Sequence, residues 1–172
     1  MAESFLVLWA QDHVRAVKQD AGKPLQALFG GSHISAPGYT SHGVVPEDLV
    51  YVVAVRDGRM YLLARMQVRT ILPIREYREK HRPLLGPDAP HHVADCDGCL
   101  TEALLGEGTP FQFNRAIPVE ILERLQFRNR KGEDRGVKVE DGRFKSATGI
   151  QGHVMRLAPD SARDFDDVIR NS

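Results

Sequence analysis

Two β-rich apolar runs meet at a four-residue turn, Arg56-Asp57-Gly58-Arg59, within Leu49–Leu72, LVYVVAVRDGRMYLLARMQVRTIL. An Asp-Gly pair in that setting predicts a tight hairpin, because a type I′ turn needs positive φ at both central residues. The first run, Leu49–Val55, is nearly all apolar and is expected to be buried on both faces. The second, Met60–Ile71, outlasts its hairpin partner. A strand of that length bends or passes from one sheet to another, as in a small closed or partly open barrel. The sequence therefore predicts an α+β fold: a small β-barrel with short flanking helices and a loop-rich insertion.

The rest of the chain is read around that hairpin. Phe5–Trp9 predicts a short buried strand, and Gln11–Asp20 a helix with Val14 and Val17 on one face, ended by Gly22 and Pro24. Leu25–Phe29 reads as an apolar turn, and Gly30–Gly43 as a Gly/Ser/His loop leading into the central strand. Ile74–Arg82 predicts a charged helix. Pro83–Pro110 reads as an insertion or extended loop within one domain spanning residues 1–172, with a helical turn at Thr101–Leu105. Phe111–Phe113 reads as a strand. Pro118–Leu125 predicts a helix with proline in its first turn. A second Asp-Gly hairpin is expected at Glu140–Arg143, then a strand at Gly152–Leu157. A final helix capped by Asp160 or Ser161 is expected to end near Arg170.

Lys and Arg number 23, as do Asp and Glu, so the formal net charge is zero. No global field then draws a polyanion, and nucleic-acid contact has to rest on local patches. The densest basic run is Arg124-Leu-Gln-Phe-Arg-Asn-Arg-Lys131, continuing to Arg135 and Lys138, with Phe127 available to stack on a base. Within it Arg128, Arg130 and Lys131 are candidate phosphate contacts. Arg65 and Arg69 open a second group; an even spacing puts them on one face of the long strand. The opposing reading is a solvated face neutralised by Glu76, Glu79, Glu133 and Asp134.

The order strand ending in Trp, helix, small-residue loop, then Pro46-Glu47-Asp48-Leu49-Val50-Tyr51 and Leu63-Ala64-Arg65-Met66-Gln67-Val68 resembles the PUA-like superfamily, which includes PUA, ASCH, EVE and YTH-type domains. There a G-D-x-V step brings the chain into the barrel. Glu47 stands where that pattern usually has Gly. The resemblance covers Phe5–Leu72 and extends to the last strand and helix, but not Pro83–Pro110. It implies binding of RNA or of modified DNA, often through a pocket that receives a flipped base.

A base held outside its stack needs aromatic or apolar faces and a few polar edge contacts. Trp9 and Tyr39 are candidates for the faces; Ser32, His33, Ser41 and His42 are candidates for the edge, with Ser35 a further hydroxyl in the same loop. The resemblance also leaves a small hydrolase or nuclease open, drawing on His33, His42, Lys23 and Glu47. No G-x-S-x-G elbow, P-loop or H-E-x-x-H motif supports another enzyme class.

A third reading is a protein-interaction domain with a zinc-pinned loop. His91, His92, Cys96 and Cys99 would supply the ligands, with His81 or His153 as distant alternatives. Against it, only one cysteine pair exists, and the deaminase pattern H-x-E with P-C-x-x-C is missing; no cofactor is expected on the first reading. With two cysteines, no basic-then-apolar leader and no apolar run near the roughly 20 residues that span a bilayer, a cytoplasmic location is expected.

Overall fold

The computed structural model describes residues 1–33, 36–85 and 99–172. Eleven strands and four α-helices are assigned among them: β1 (Ser4–Leu8), α1 (Gln11–Val17), β2 (Ala27–His33), β3 (Ala36–Pro37), β4 (Leu49–Arg56), β5 (Arg59–Pro73), α2 (Ile74–Leu85), β6 (Leu100–Gly108), α3 (Val119–Glu123), β7 (Gln126–Arg128), β8 (Asp134–Gly136), β9 (Val139–Glu140), β10 (Arg143–Phe144), β11 (Val154–Arg156) and α4 (Pro159–Arg170). Seven strands form one mixed sheet in the order β11-β1-β4-β5-β6-β2-β3, and β7-β8 and β9-β10 are separate ribbons. None of the described helices is long and apolar enough to cross a membrane.

The hairpin expected at Asp57-Gly58 is the middle of this sheet. Both turn residues take positive φ, 53° and 74°, and the second turn, Asp141-Gly142, does the same at 50° and 71°. β4 is parallel to β1 and antiparallel to β5. β5 runs on as its length implied: its first part pairs with β4 up to Gln67, and its last part, Met66–Pro73, pairs with β6. The register shifts between Val52 and Val53 of β4, opposite Ala64 and Leu62, so Leu63 is the extra residue of a bulge. Leu63 and Ala64, neighbours in sequence, both fall in the inner core, while Met60 and Leu62 lie in the outer one. A bulge sharpens local twist, and here it bends the sheet round its inner face.

That inner face gathers Phe5 and Val7, Leu28, Val50 and Val52, Met66, Leu104 and Val154, from strands at both ends of the sheet, into one buried cluster. The outer face packs Leu6, Tyr51, Val53 and Leu62 against Leu122, Phe127, Phe144 and Phe165. α4 is fixed there by Arg65: its guanidinium donates to Asp166 at 2.5 Å, and the Tyr51 hydroxyl donates to the same oxygen at 2.7 Å. Burial, then the bond to Asp166, keeps the Tyr51 phenol well above its usual range.

The sheet edges nearly meet, through the 3-10 turn Thr40–His42. The His42 and His153 rings are 6.2 Å apart, and Arg130 donates to the Ser41 carbonyl at 3.4 Å. From the other side, buried Glu102 on β6 accepts the Tyr39 and Thr40 N–H groups at 2.5 and 3.2 Å and the Thr40 hydroxyl at 2.6 Å. The molecule is thus a mixed sheet nearly closed into a barrel, with short helices around it.

Several local expectations give way. Leu25–Phe29 opens into strand β2, and Thr101–Leu105 is strand, not a helical turn, within the central strand β6. Gly30-Gly31 reads as a turn, yet a Cβ on Gly31 would lie 1.7 Å from the Cys99 carbonyl oxygen. The glycine is there for close approach of two strands across a bulge. Phe111–Phe113 is not assigned as strand; it lies between β5 and the Lys23 loop through Gln112 N–H to Leu63 O and Phe111 N–H to Lys23 O, both 2.9 Å. The last helix begins at Pro159 after Ala158, and buried Ser161 accepts the Gln126 N–H at 2.9 Å, tying β7 to α4 where a cap was expected.

Glu47, where the PUA-like pattern usually has Gly, has φ 77°. Its carboxylate is held by Arg69 at 2.8 and 3.1 Å. A left-handed L-residue costs about 1–2 kcal/mol, offset against about 0.5–1 kcal/mol for glycine's unfolded-state freedom and about 0–1 kcal/mol for a surface ion pair. Glu47→Gly is expected to unfold in urea within about 1 kcal/mol of the parent, whereas Glu47→Val, β-branched at positive φ, is expected to lose about 2 kcal/mol. Equal midpoints for the two variants would remove the backbone explanation.

Glu102→Ala strands two amide donors and a hydroxyl, and is expected to cost about 2–4 kcal/mol. Glu102→Gln keeps one carbonyl oxygen for both amides and is expected to cost about 1 kcal/mol or less. Amide exchange at Tyr39 and Thr40 is the local readout, and it should accelerate in the alanine variant before the global unfolding limit is reached.

Candidate nucleic-acid interface

The outer face holds a cavity of about 340 Å³ between the β7-β8 and β9-β10 ribbons and β11. Its floor is apolar: Phe127, Phe144, Ile150 and Met155 line it, with Val137 at its side. Its rim carries Arg135, Lys138, Lys145 and Ser146, and among the described residues no Asp or Glu lines it. Both aromatic rings are placed by backbone pairing. The Phe127 N–H and C=O lie in the β7-β8 ladder opposite Arg135, and the Phe144 N–H donates to Gly58 O at 2.9 Å across the first hairpin turn. The chain turn that organises the sheet therefore also sets the far wall of the cavity.

The basic run is sorted by its ion pairs. Arg124 is clamped by Asp164 at 2.6 and 2.7 Å, and Arg128 by Asp134 at 2.8 and 2.9 Å. The Arg128 hydrogen bond holds the Asp134 carboxyl below its usual range. Lys145 is 3.0 Å from Glu140, and Arg135 only 3.8 Å from Glu133. Arg130, Lys131 and Lys138 make no ion pair among the described residues. Asn129 caps the ribbon tip, accepting the Lys131 and Glu133 N–H groups at 2.9 Å, so Arg130 and Lys131 project from an ordered turn. Arg130 reaches the Ser41 carbonyl, which joins the ribbon tip to the barrel seam. There His42 and His153 face each other, and Arg156 lies over the Phe5 ring at 5.6 Å and pairs with Glu3 at 3.1 Å. The result is a cationic strip leading from the cavity rim over the ribbon tip to the seam.

The other expected contacts are distributed differently. Arg65 is bound to Asp166, which more than offsets the lowering of its pKa by burial. Arg69 is shared by Glu47 and Glu107. Both guanidiniums are paired with carboxylates other than those the solvated-face reading named, whereas Arg75 is paired with Glu79 and Lys80 with Glu76.

Trp9 does line a cleft, of about 310 Å³, with His13, Phe29, Tyr77 and Phe111. Trp9 stacks on His13 at 4.0 Å. The charges there are Asp20 and Lys23, paired at 2.9 Å, so its rim lacks the positive field that a base pocket beside phosphates needs. Tyr39 is wholly inside the barrel core; burial, then the Glu102 charge, keeps it protonated. Ser32 is exposed and its N–H donates to Cys99 O at 3.0 Å. Ser41 donates to Gly38 O at 3.0 Å, and His42 Nδ1 lies 2.5 Å from the same oxygen. These residues are not gathered into the Trp9 cleft.

The hydrolase set is dispersed as well: Lys23 is with Asp20, Glu47 with Arg69, and His42 at the seam. The side chain of His33, and Ser35, His91, His92 and Cys96, lie outside the described residues, so the zinc alternative is met only at Cys99, whose carbonyl accepts the Ser32 N–H.

Phe127, Arg135 and Lys138 were visible in the sequence as an aromatic within a basic run. Phe144, Lys145, Ile150 and Met155 were not, since nothing in their spacing relates them to residue 127; only the fold does.

No family model matches the chain, and no curated protein sequence matches it. Among solved structures, an ASCH protein from Zymomonas mobilis aligns over 96% of this chain and 94% of that one, with a TM-score of 0.40 and 8% identity. Two single-substitution variants of the same protein align over 96% of this chain with TM-scores of 0.44 and 0.41, again at 8% identity.

Proposed function

We propose that the protein binds single-stranded RNA or DNA, holding one unstacked base in the cavity between Phe127 and Phe144. The observation that carries this reading is the combination of an apolar, aromatic floor with a rim lined by cations and, among the described residues, by no carboxylate. Base–aromatic stacking contributes about 1–3 kcal/mol per base and is available to a strand whose bases are already free. Phosphates flanking the held base meet Arg135 and Lys138 at the rim and Arg130 and Lys131 at the ribbon tip. A chain of zero net charge can do this because Arg130, Lys131 and Lys138, which make no ion pair among the described residues, stand together on this one surface. A modified base, carrying extra bulk on its edge, is received by the same cavity and belongs in the same comparison.

Fluorescence anisotropy with short labelled single-stranded and duplex RNA and DNA, with and without modified cytosine, tests this across salt concentration. Single strands should bind more tightly than duplexes. Phe127→Leu and Phe144→Leu, which keep core volume but remove the π face, should each weaken binding by about tenfold. The double variant Arg130→Ala with Lys131→Ala should lower the slope of log K against log salt by about 1.4, at about 0.7 per phosphate lost. Failure to bind at low salt, where phosphate contacts are strongest, would overturn the proposal.

A further inference from the structure

We infer that the cavity selects bases with a keto edge, guanine and uracil or thymine, over the amino bases adenine and cytosine. The inference rests on the proposed base-binding reading and adds to it which residues read the base. Among the described residues, the rim side chains that can form hydrogen bonds are Arg135, Lys138, Lys145 and Ser146, and no Asp, Glu, Asn or Gln is with them. Arginine and lysine only donate, and serine alone can do either. On that edge guanine presents two acceptors, O6 and N7, and thymine or uracil O4, whereas adenine sets an amino donor at N6 beside its N7 and cytosine an amino donor at N4. An amino group turned to this rim meets guanidinium and ammonium N–H groups, donor against donor, and both sides are left unsatisfied after desolvation.

The rim cations are not equivalent. Lys145 is held by Glu140 at 3.0 Å, whereas Arg135 is 3.8 Å from Glu133 and Lys138 has no carboxylate within 4.0 Å among the described residues. Glu140 and Glu133 are the acidic groups facing these cations; neither lines the cavity, so neither offers an acceptor to a base inside it. Arg135 and Lys138 are therefore the specificity-determining pair. Arg135, with its planar fork, fits the paired O6 and N7 acceptors of guanine.

The test uses an otherwise abasic labelled strand with one central base, so that phosphate contacts are constant and only the edge changes. With the full chain, guanine and uracil are expected to bind about tenfold tighter than adenine and cytosine. Inosine, which keeps O6 and N7, should bind like guanine, and 2-aminopurine, which lacks O6, like adenine. Arg135→Met with Lys138→Met, both at the exposed rim, should bring the four bases to equal affinity. Equal affinities in the parent, with binding still weakened by Phe127→Leu, overturn the edge preference and leave the base-binding reading intact. A preference for adenine or cytosine also overturns it. Binding no tighter than that of the fully abasic strand, and indifferent to Phe127→Leu, overturns the base-binding reading itself.

Discussion

The bulge at Leu63 is the constraint on which the rest of the barrel depends. A flat strand of the length of β5 would give one long, open sheet with a single phase of inward and outward side chains. One extra residue at Leu63 shifts that phase within the stretch paired to β4, and a second register shift between Val68 and Thr70 falls in the stretch paired to β6. The inner core can then be filled from both ends of the sheet, and the outer face is left convex. Other parts of the chain accommodate that curvature. Glycine stands where two strands press together, and α4 covers the outer face above Tyr51. The short turn at Thr40 closes the seam under the hold of Glu102.

Closure has an electrostatic consequence. Once the sheet is curled, carboxylates and cations far apart in sequence face each other, as in Arg65 with Asp166 and Arg124 with Asp164, at separations of 101 and 40 residues. Each such pair removes a cation from the supply open to an anionic ligand. What remains is set by the fold and not by composition: at the ribbon tip and the rim of the Phe127 cavity, Arg130, Lys131 and Lys138 make no ion pair among the described residues, while Arg135 and Lys145 face Glu133 and Glu140.

The Glu47 backbone shows how a departure from a family-like pattern can be read physically. The position needs a left-handed residue whatever occupies it, since it delivers the chain from the loop into β4, with Asp48 accepting the Glu3 and Val45 N–H groups at 2.8 and 2.9 Å. Glutamate meets the need at a conformational cost and gains Arg69 and Gln67 as partners. The change of residue type therefore leaves the fold intact and gives Arg69 a carboxylate partner.

By itself the sequence determined the elements whose signals are local. Asp57-Gly58 and Asp141-Gly142 dictate their turns through φ, the apolar run Leu49–Val55 dictates a doubly buried strand, and the length of β5 dictates a bend. It also placed an aromatic, Phe127, among cations. It could not reveal β2 and β6 as strands, because Gly30-Gly31 signals a turn locally and only close contact with the Cys99 carbonyl explains it. Residue type alone makes Trp9 and Tyr39 look like pocket faces, but the barrel interior claimed Tyr39, and Trp9 was left in a cleft with a neutral rim. Tertiary structure alone decided which cations remain unpaired, and alone brought Phe144, Ile150 and Met155 opposite Phe127. Such contacts join residues whose separation carries no periodic signal, and they exist only after the sheet has curled.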